Sequence, residues 1–383
     1  MCTTSHTQET ILRTCSYHRS RYYFPLLTTN PSKAPDTLFE CLLTTSSLAR
    51  ADSNNPGAIC KLPPEIISRI SMLLDVKSFH SFRNANCQTR TMLTAIPQYR
   101  QVVQYGAEGI KALARTGLSD DITYKDLHNA LINGECAMCG EFGGLLFLPT
   151  CTRCCYSCLR EKPELAVVGG DDVYQLGILG AKMFSTSGCR YLKIQNWAQP
   201  TMMLDKTIGI PAVDICQAIR FLGSIQGNFG TALHRGWLHY RSAACIMYPT
   251  LDRYTMTVER GVSCKGCEKA FVTNRFEANG QGWTIPDIPS SYVGRDISFS
   301  TIGFLKHFEF CEHAQKIWEN SEYGSKDTKD SKTIQNGGRH LGRTGMSAYM
   351  HWHRDRSSAL LEIISSWICF GVQMESDEDE IMT

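Results

Sequence analysis

Cysteine carries the most visible chemistry in this sequence. The chain holds 18 cysteines, and the stretch CTRCCYSC crowds Cys151, Cys154, Cys155 and Cys158 into one short segment. A first hook, Cys136-Ala-Met-Cys139, lies just upstream. In a CxxC turn the backbone amides face the sulfurs, and both thiolates point at one ion. Two such hooks complete the tetrahedral donor set of a structural zinc site, with Zn–S bonds of about 2.3 Å. Six cysteines compete for four places. Cys136 and Cys139 pair either with Cys155 and Cys158 or with the alternates Cys151 and Cys154. We favour Cys155 and Cys158, because that pair runs into CLREKP and leaves Cys151, just after FLP, as a packed thiol.

A second candidate zinc site joins Cys264-Lys-Gly-Cys267 to His307 and Cys311. The stretch STIGFLKHFEFCEHAQKIWE predicts one long amphipathic helix over 300–319, on which His307 and Cys311 stand at i and i+4 and face the same way. His313 is a weaker substitute, since it diverges from Cys311 on such a helix. The plain alternative is that His307 and Cys311 are ordinary helix residues and CKGC a chance turn. For the first cluster it is that the cysteines are small buried apolar residues.

Other thiol chemistry fits less well. A redox CxxC prefers to open a helix after a strand in a βαβ setting, which FGGLLFLPTCTRCC does not supply. A catalytic cysteine needs a histidine base beside it, and a catalytic zinc keeps an open position. Neither cluster has the interleaved ligand pairs of a RING domain. The glycine patterns LGILG and NGQGW are too short for phosphate loops, and HWH at 351–353 sits in a polar stretch. We therefore expect structural Zn2+ and no enzymatic activity.

Bulk properties narrow the setting. Thirty-nine basic and 37 acidic side chains leave a formal net charge of +2, without the basic excess that phosphate binding demands. The first residues lack a basic patch followed by an apolar run. No apolar stretch approaches the roughly 20 residues of a membrane helix; the best candidate, ALLEIISSWICFGV, contains Glu362. No N-x-S/T sequon is present, Asn30-Pro31-Ser32 being blocked by its proline. The expectation is an intracellular protein of the cytoplasm, the nucleus or both, with reduced thiols and neither nucleic acid nor membrane as a partner.

These sites need elements to position them. Residues 1–57 read as a flexible leader, with TLFECLLTTSSLA as a short helix. From Leu62, LPPEIISRISMLL places Ile66, Ile67, Ile70, Leu73 and Leu74 at helical spacing after a proline pair. DVKSFHSFRNA continues with Phe79 and Phe82, and Ser78 as its N-cap. Further helices are predicted at CQTRTMLTA, at PQYRQVVQYGAEGIKALARTG ending on Gly117, and at YKDLHNALIN. The predicted blocks are a module at 58–100, helices plus a cysteine cluster at 101–160, mixed α/β structure at 161–319 with PAVDICQAIRFLGS as a helix, and a disordered tail at 320–383 ending in ESDEDE.

The stretch LPPEIISRISMLLDVKSFHSFRNANCQTRTML resembles an F-box. Its relation to LPTCTRCCYSCL and FLKHFEFCEHAQKIW is similar to that in F-box proteins of filamentous ascomycete fungi, and the likeness spans 62–160 and 264–318. Arg90-Thr91 stands where the third F-box helix often has tryptophan. The resemblance implies a mainly α fold with small zinc-stabilised α+β segments, a three-helix F-box at 58–100 and flexible tails. It implies a non-enzymatic substrate receptor of a Skp–cullin–F-box ubiquitin ligase. The F-box would dock on a Skp-type adaptor and thereby a cullin scaffold, and the region 161–319 would recruit a protein substrate. Leu62, Pro63, Ile66, Ile67, Ile70, Leu73 and Leu74 would meet the adaptor, and His307 is favoured over His313 as ligand. The competing expectation is a zinc-finger protein that binds proteins or nucleic acid and uses the 62–95 helices as scaffold.

Overall fold

A computed structural model describes residues 2–19, 61–165, 167–169, 192–193, 208–211, 241, 244–277, 294–327, 329–335 and 337. In chain order the elements begin with α1 (Cys2–Cys15) and β1 (Ser16–Tyr17). A run of helices follows: α2 (Pro64–Met72), α3 (Val76–Arg83), α4 (Cys87–Thr94), α5 (Pro97–Tyr105), α6 (Ala107–Thr116) and α7 (Tyr124–Ile132). Then come β2 (Leu145–Phe147), β3 (Thr152–Cys154), α8 (Tyr156–Glu161), β4 (Val167–Gly169), β5 (Leu192–Lys193), β6 (Ile208–Pro211), β7 (Cys245–Met247), β8 (Thr250–Leu251), β9 (Val258–Glu259) and β10 (Ser263–Cys264). The last described elements are α9 (Lys265–Glu277), α10 (Thr301–Phe310), α11 (Glu312–Asn320) and α12 (Lys332–Gln335). The architecture is mainly helical with a few small sheets, and no helix among the described residues is long and apolar enough to cross a membrane.

The chain folds as two units. One draws on Leu27–Cys154 and Cys245–Arg260, the other on Met1–Leu26, Cys155–Ala244 and Gly261–Thr383. In the first, local chemistry starts five of the six helices of the run. Pro64 and Pro97 occupy first-turn positions whose amides need no partner. Asn86 and Thr123 each form a reciprocal capping box, with Thr89 and Asp126 respectively. Ser78, expected as a cap, is not one: the cap is Asp75, whose carboxylate accepts from the Ser78 amide at 2.7 Å. The helix expected over 97–117 is broken at Gly106, where a Cβ would lie 2.4 Å from the Tyr248 hydroxyl oxygen, so only glycine allows that approach.

The core of this unit is aromatic. Phe79, Tyr99 and Tyr124 are fully buried, with ring centroids 4.4 to 5.1 Å apart. Phe79 comes from α3, Tyr99 from α5 and Tyr124 from α7, so the cluster locks three helices together. Beside it β2 pairs antiparallel with both β3 and β7, and β8 pairs with β9. Arg153, buried in β3, ties this sheet to α7. Its guanidinium donates to the carbonyls of Ala130, Asn133, Gly143, Tyr248 and Pro249 and to the Thr250 hydroxyl, at 2.5 to 3.1 Å.

In the second unit, β4, β6 and β5 form an antiparallel sheet and β1 pairs with β10. One core cluster in it collects Cys15, Val262, Cys264, Cys267, Phe304, Cys311 and Ala314. Three expectations are corrected here. Residues 2–15, placed in a flexible leader, form α1, because Ile11, Leu12 and Cys15 pack into that core. The single helix expected over 300–319 is two, since Cys311 leaves the helical backbone at φ −92°, ψ 92°. Of the chain beyond 320, expected to be disordered, 321–327 and 329–335 are described and include α12, with Lys265 paired to Asp330 at 2.8 Å, while 338–383 lie outside the described residues. The helices expected within 37–49 and 211–224, the apolar stretch around Glu362, HWH and the acidic run lie outside the described residues, apart from Pro211, which ends β6.

Candidate metal centres

The segment 136–158 builds the first centre from two turns. After Ile132 the chain folds back on itself: the Cys136 amide donates to the Glu141 carbonyl at 2.6 Å and the Gly140 amide to the Cys136 carbonyl at 2.8 Å. The Ala137 amide donates to the Arg153 carbonyl at 3.0 Å, which sets the first hook beside the second. Cys155 is the N-cap of α8, its Sγ accepting from the Cys158 amide at 3.4 Å. That N–H···S contact turns both sulfurs to one side. Arg241 donates to the carbonyls of Leu159, Arg160 and Lys162 and so satisfies the end of the helix that carries Cys158.

The sulfurs of Cys136, Cys139, Cys155 and Cys158 all lie within 4.8 Å of one another. The alternates do not join them. Cys154 is drawn into β3 and fully buried; hydrogen bonding to Cys245 and burial push its thiol far up. Cys151 takes a left-handed conformation at φ 52°, and burial likewise pushes its thiol up.

The second centre is assembled from β10, the start of α9 and the α10–α11 break. Cys267 Sγ is 3.4 Å from His307 Nε2 and 3.8 Å from Cys311 Sγ, which is also 3.8 Å from Cys264 Sγ. The Cys267 amide donates to Cys264 Sγ at 3.4 Å, repeating the knuckle of the first site. Gly266 is demanded by packing: a Cβ there would sit 2.3 Å from the Ala314 nitrogen. His307 is held flat against Phe299, ring centroids 4.6 Å apart. Hydrogen bonds from Cys264 and Cys267 lower the Cys311 thiol. All four donor atoms lie within 4.8 Å of one another. His307 and Cys311 therefore converge although they do not share a helix, and His313 is not among the four.

No protein-family model matches this chain, and no curated protein or solved structure does either. The chemical reading of the two clusters consequently rests on their donor sets. The cysteines of both clusters are free thiols. Two sets of four soft donors, one of four thiolates and one of three thiolates with an imidazole, can each enclose a metal ion.

The helix α2 shows where the expected adaptor-contacting residues stand. Leu62, Ile66, Ile70 and Leu73 are 39%, 40%, 46% and 62% exposed, and Pro63 is exposed with them. Ile67 is corrected: at 4% exposure it belongs to the protein's own core, and Leu74 is half-buried. Sequence reasoning missed Arg153, Arg241 and Cys245, whose partners lie in distant segments. The only cue was Arg153 itself, sitting inside the cysteine run.

Proposed function

We propose that the protein is an F-box substrate receptor of a Skp–cullin–F-box ubiquitin ligase, with zinc as structural cement in both cysteine centres and no catalytic role of its own. The observation that carries this reading is the apolar patch at α2. Ile66 and Ile70 on α2, with Leu62 just before the helix and Leu73 at its C-cap, stay exposed while Ile67, Ser71 and Met72 turn inward. A short helix with an apolar seam on its outer face is a helix-in-groove or helix-on-helix ligand waiting for a partner. On this reading the seam is the contact with a Skp-type adaptor. Zinc is the preferred occupant of the two centres, because sets of four thiolates, or three thiolates and an imidazole, closed at four donors are its structural signature.

The test is co-purification of the tagged chain with the Skp-type adaptor, repeated with Ile66→Glu/Ile70→Glu. The adaptor should accompany the native chain and be absent from the double variant. An adaptor that never appears, or that survives the double substitution, overturns the reading.

A further inference from the structure

The seat of the segment 2–19 is made of two separate stretches of chain, paired at Val262 and Phe299, and the four donors of the second centre come from both. From one side, Ser16 pairs with Cys264 and Tyr17 with Ser263 across β1–β10, and His18 Nδ1 is 2.9 Å from the Gly261 carbonyl. From the other, Cys15 Sγ donates to the Ala314 carbonyl at 3.5 Å and Arg13 to the Gly324 carbonyl at 3.2 Å. Cys264 and Cys267 come from the first stretch, His307 and Cys311 from the second.

The far end of the segment is fixed by charge. Arg19 Nη1 lies 2.8 Å from Asp296 Oδ1 and donates to the Arg295 carbonyl at 2.6 Å. Arg295 Nε lies 2.9 Å from Glu268 Oε2, which also accepts from the Tyr17 hydroxyl at 3.2 Å. These charged side chains are fully buried. Their pairing is compatible with folding only when all partners are in place, since an orphaned buried charge is strongly unfavourable. Glu268 directly follows the ligand Cys267, so the ionic cluster and the metal centre share one turn of α9.

We propose that metal at Cys264–Cys267–His307–Cys311 acts as a latch that seats the segment 2–19, so that loading of this centre and docking of the segment stabilise each other. The inference rests on reading that cluster as a metal centre. With the ion bound, the knuckle at 263–267 and the α10–α11 break are held together and present a complete seat. Without it, no ion bridges the two stretches, and the halves of the seat are held only by protein contacts such as the Val262–Phe299 backbone pair. Linkage makes the effect reciprocal: what the metal gives the segment, the segment gives the metal.

Two arms test this on the full chain loaded with zinc under reducing conditions. In the first, His307→Ala should lower zinc from about two ions per chain to about one. Amide exchange should then accelerate at least about tenfold in peptides covering 7–19 and 263–267 and stay native in peptides covering 97–132. In the second, Arg19→Met should undock the segment, and a chromophoric chelator should extract the second zinc about tenfold faster while the first zinc leaves at its native rate. If His307→Ala loses zinc but residues 7–19 keep their protection, the latch is wrong while the metal centre stands. The latch is equally wrong if protection falls at 97–132 too, or if Arg19→Met frees the segment without hastening zinc release. A native chain with no zinc at this centre overturns the metal reading and the latch with it.

Discussion

At the scale of single residues, the cysteine spacing was legible and the choice among cysteines was only partly so. A CxxC hook is local, so its two sulfurs converge wherever the turn sits; this is why Cys136–Cys139 and Cys264–Cys267 could be named from spacing. What separates Cys155 and Cys158 from Cys151 and Cys154 is the pairing of 152–154 with 145–147, which commits Cys154 to the sheet and to Cys245. Strand pairing of that kind leaves no mark on the spacing of cysteines. Cys155→Ser should therefore reduce bound metal by about one ion per chain, whereas Cys151→Ser should leave it unchanged; elemental analysis after gel filtration distinguishes them. Arg153→Met should lower stability by roughly 3 kcal/mol or more, because five carbonyls and a hydroxyl lose a charged donor. A denaturant titration measures it.

At the scale of elements, apolar periodicity found the helices and misjudged their ends. The pattern FLKHFEFCEHAQKIW continues unbroken through Cys311, so nothing in it announces that α10 stops there. The stop serves the site: it lets His307 and Cys311 approach one point from two helix ends. α1 was hidden for the opposite reason. Its polar, Thr-rich sequence is weakly periodic, and its helical state depends on α10 and α11 from the other end of the chain.

Within the helical run, His80 gives a pH dependence. Burial, and then the nearby Arg83 charge, push its pKa down from 6.5 to about 4, and its Nε2 lies 2.6 Å from the Tyr124 hydroxyl. The folded state thus holds fewer protons than the unfolded chain between these values. Stability should be complete above pH 6.5 and fall by roughly 3 kcal/mol as pH drops to about 4. His80→Gln should remove that part of the acid sensitivity, which parallel melts of the two proteins across this range will show. Identical pH profiles would contradict the assignment.

At the scale of the whole molecule, interleaving was the least legible feature. Composition divides the chain into consecutive blocks, but the structural unit containing α1 is assembled from three stretches that close only through long-range pairs such as Ser16 with Cys264. On the proposed reading of both clusters as structural zinc centres, metal binding would contribute directly to folding. Chelation under reducing conditions should therefore abolish cooperative unfolding rather than merely shift its midpoint, since structural zinc binding is folding free energy. Calorimetry before and after chelation checks this.

The apolar patch at α2 belongs to this scale too: Ile66 and Ile70 on the helix, and Leu62 and Leu73 at its two ends, remain exposed while Ile67 and Met72 are buried. The most direct measurement is a calorimetric titration of the purified, zinc-loaded chain with the Skp-type adaptor. An F-box receptor should show saturable one-to-one binding with a negative heat-capacity change, lost in Ile66→Glu/Ile70→Glu while bound zinc stays at the native level. Absence of binding, or equal binding by the double variant, would contradict that role.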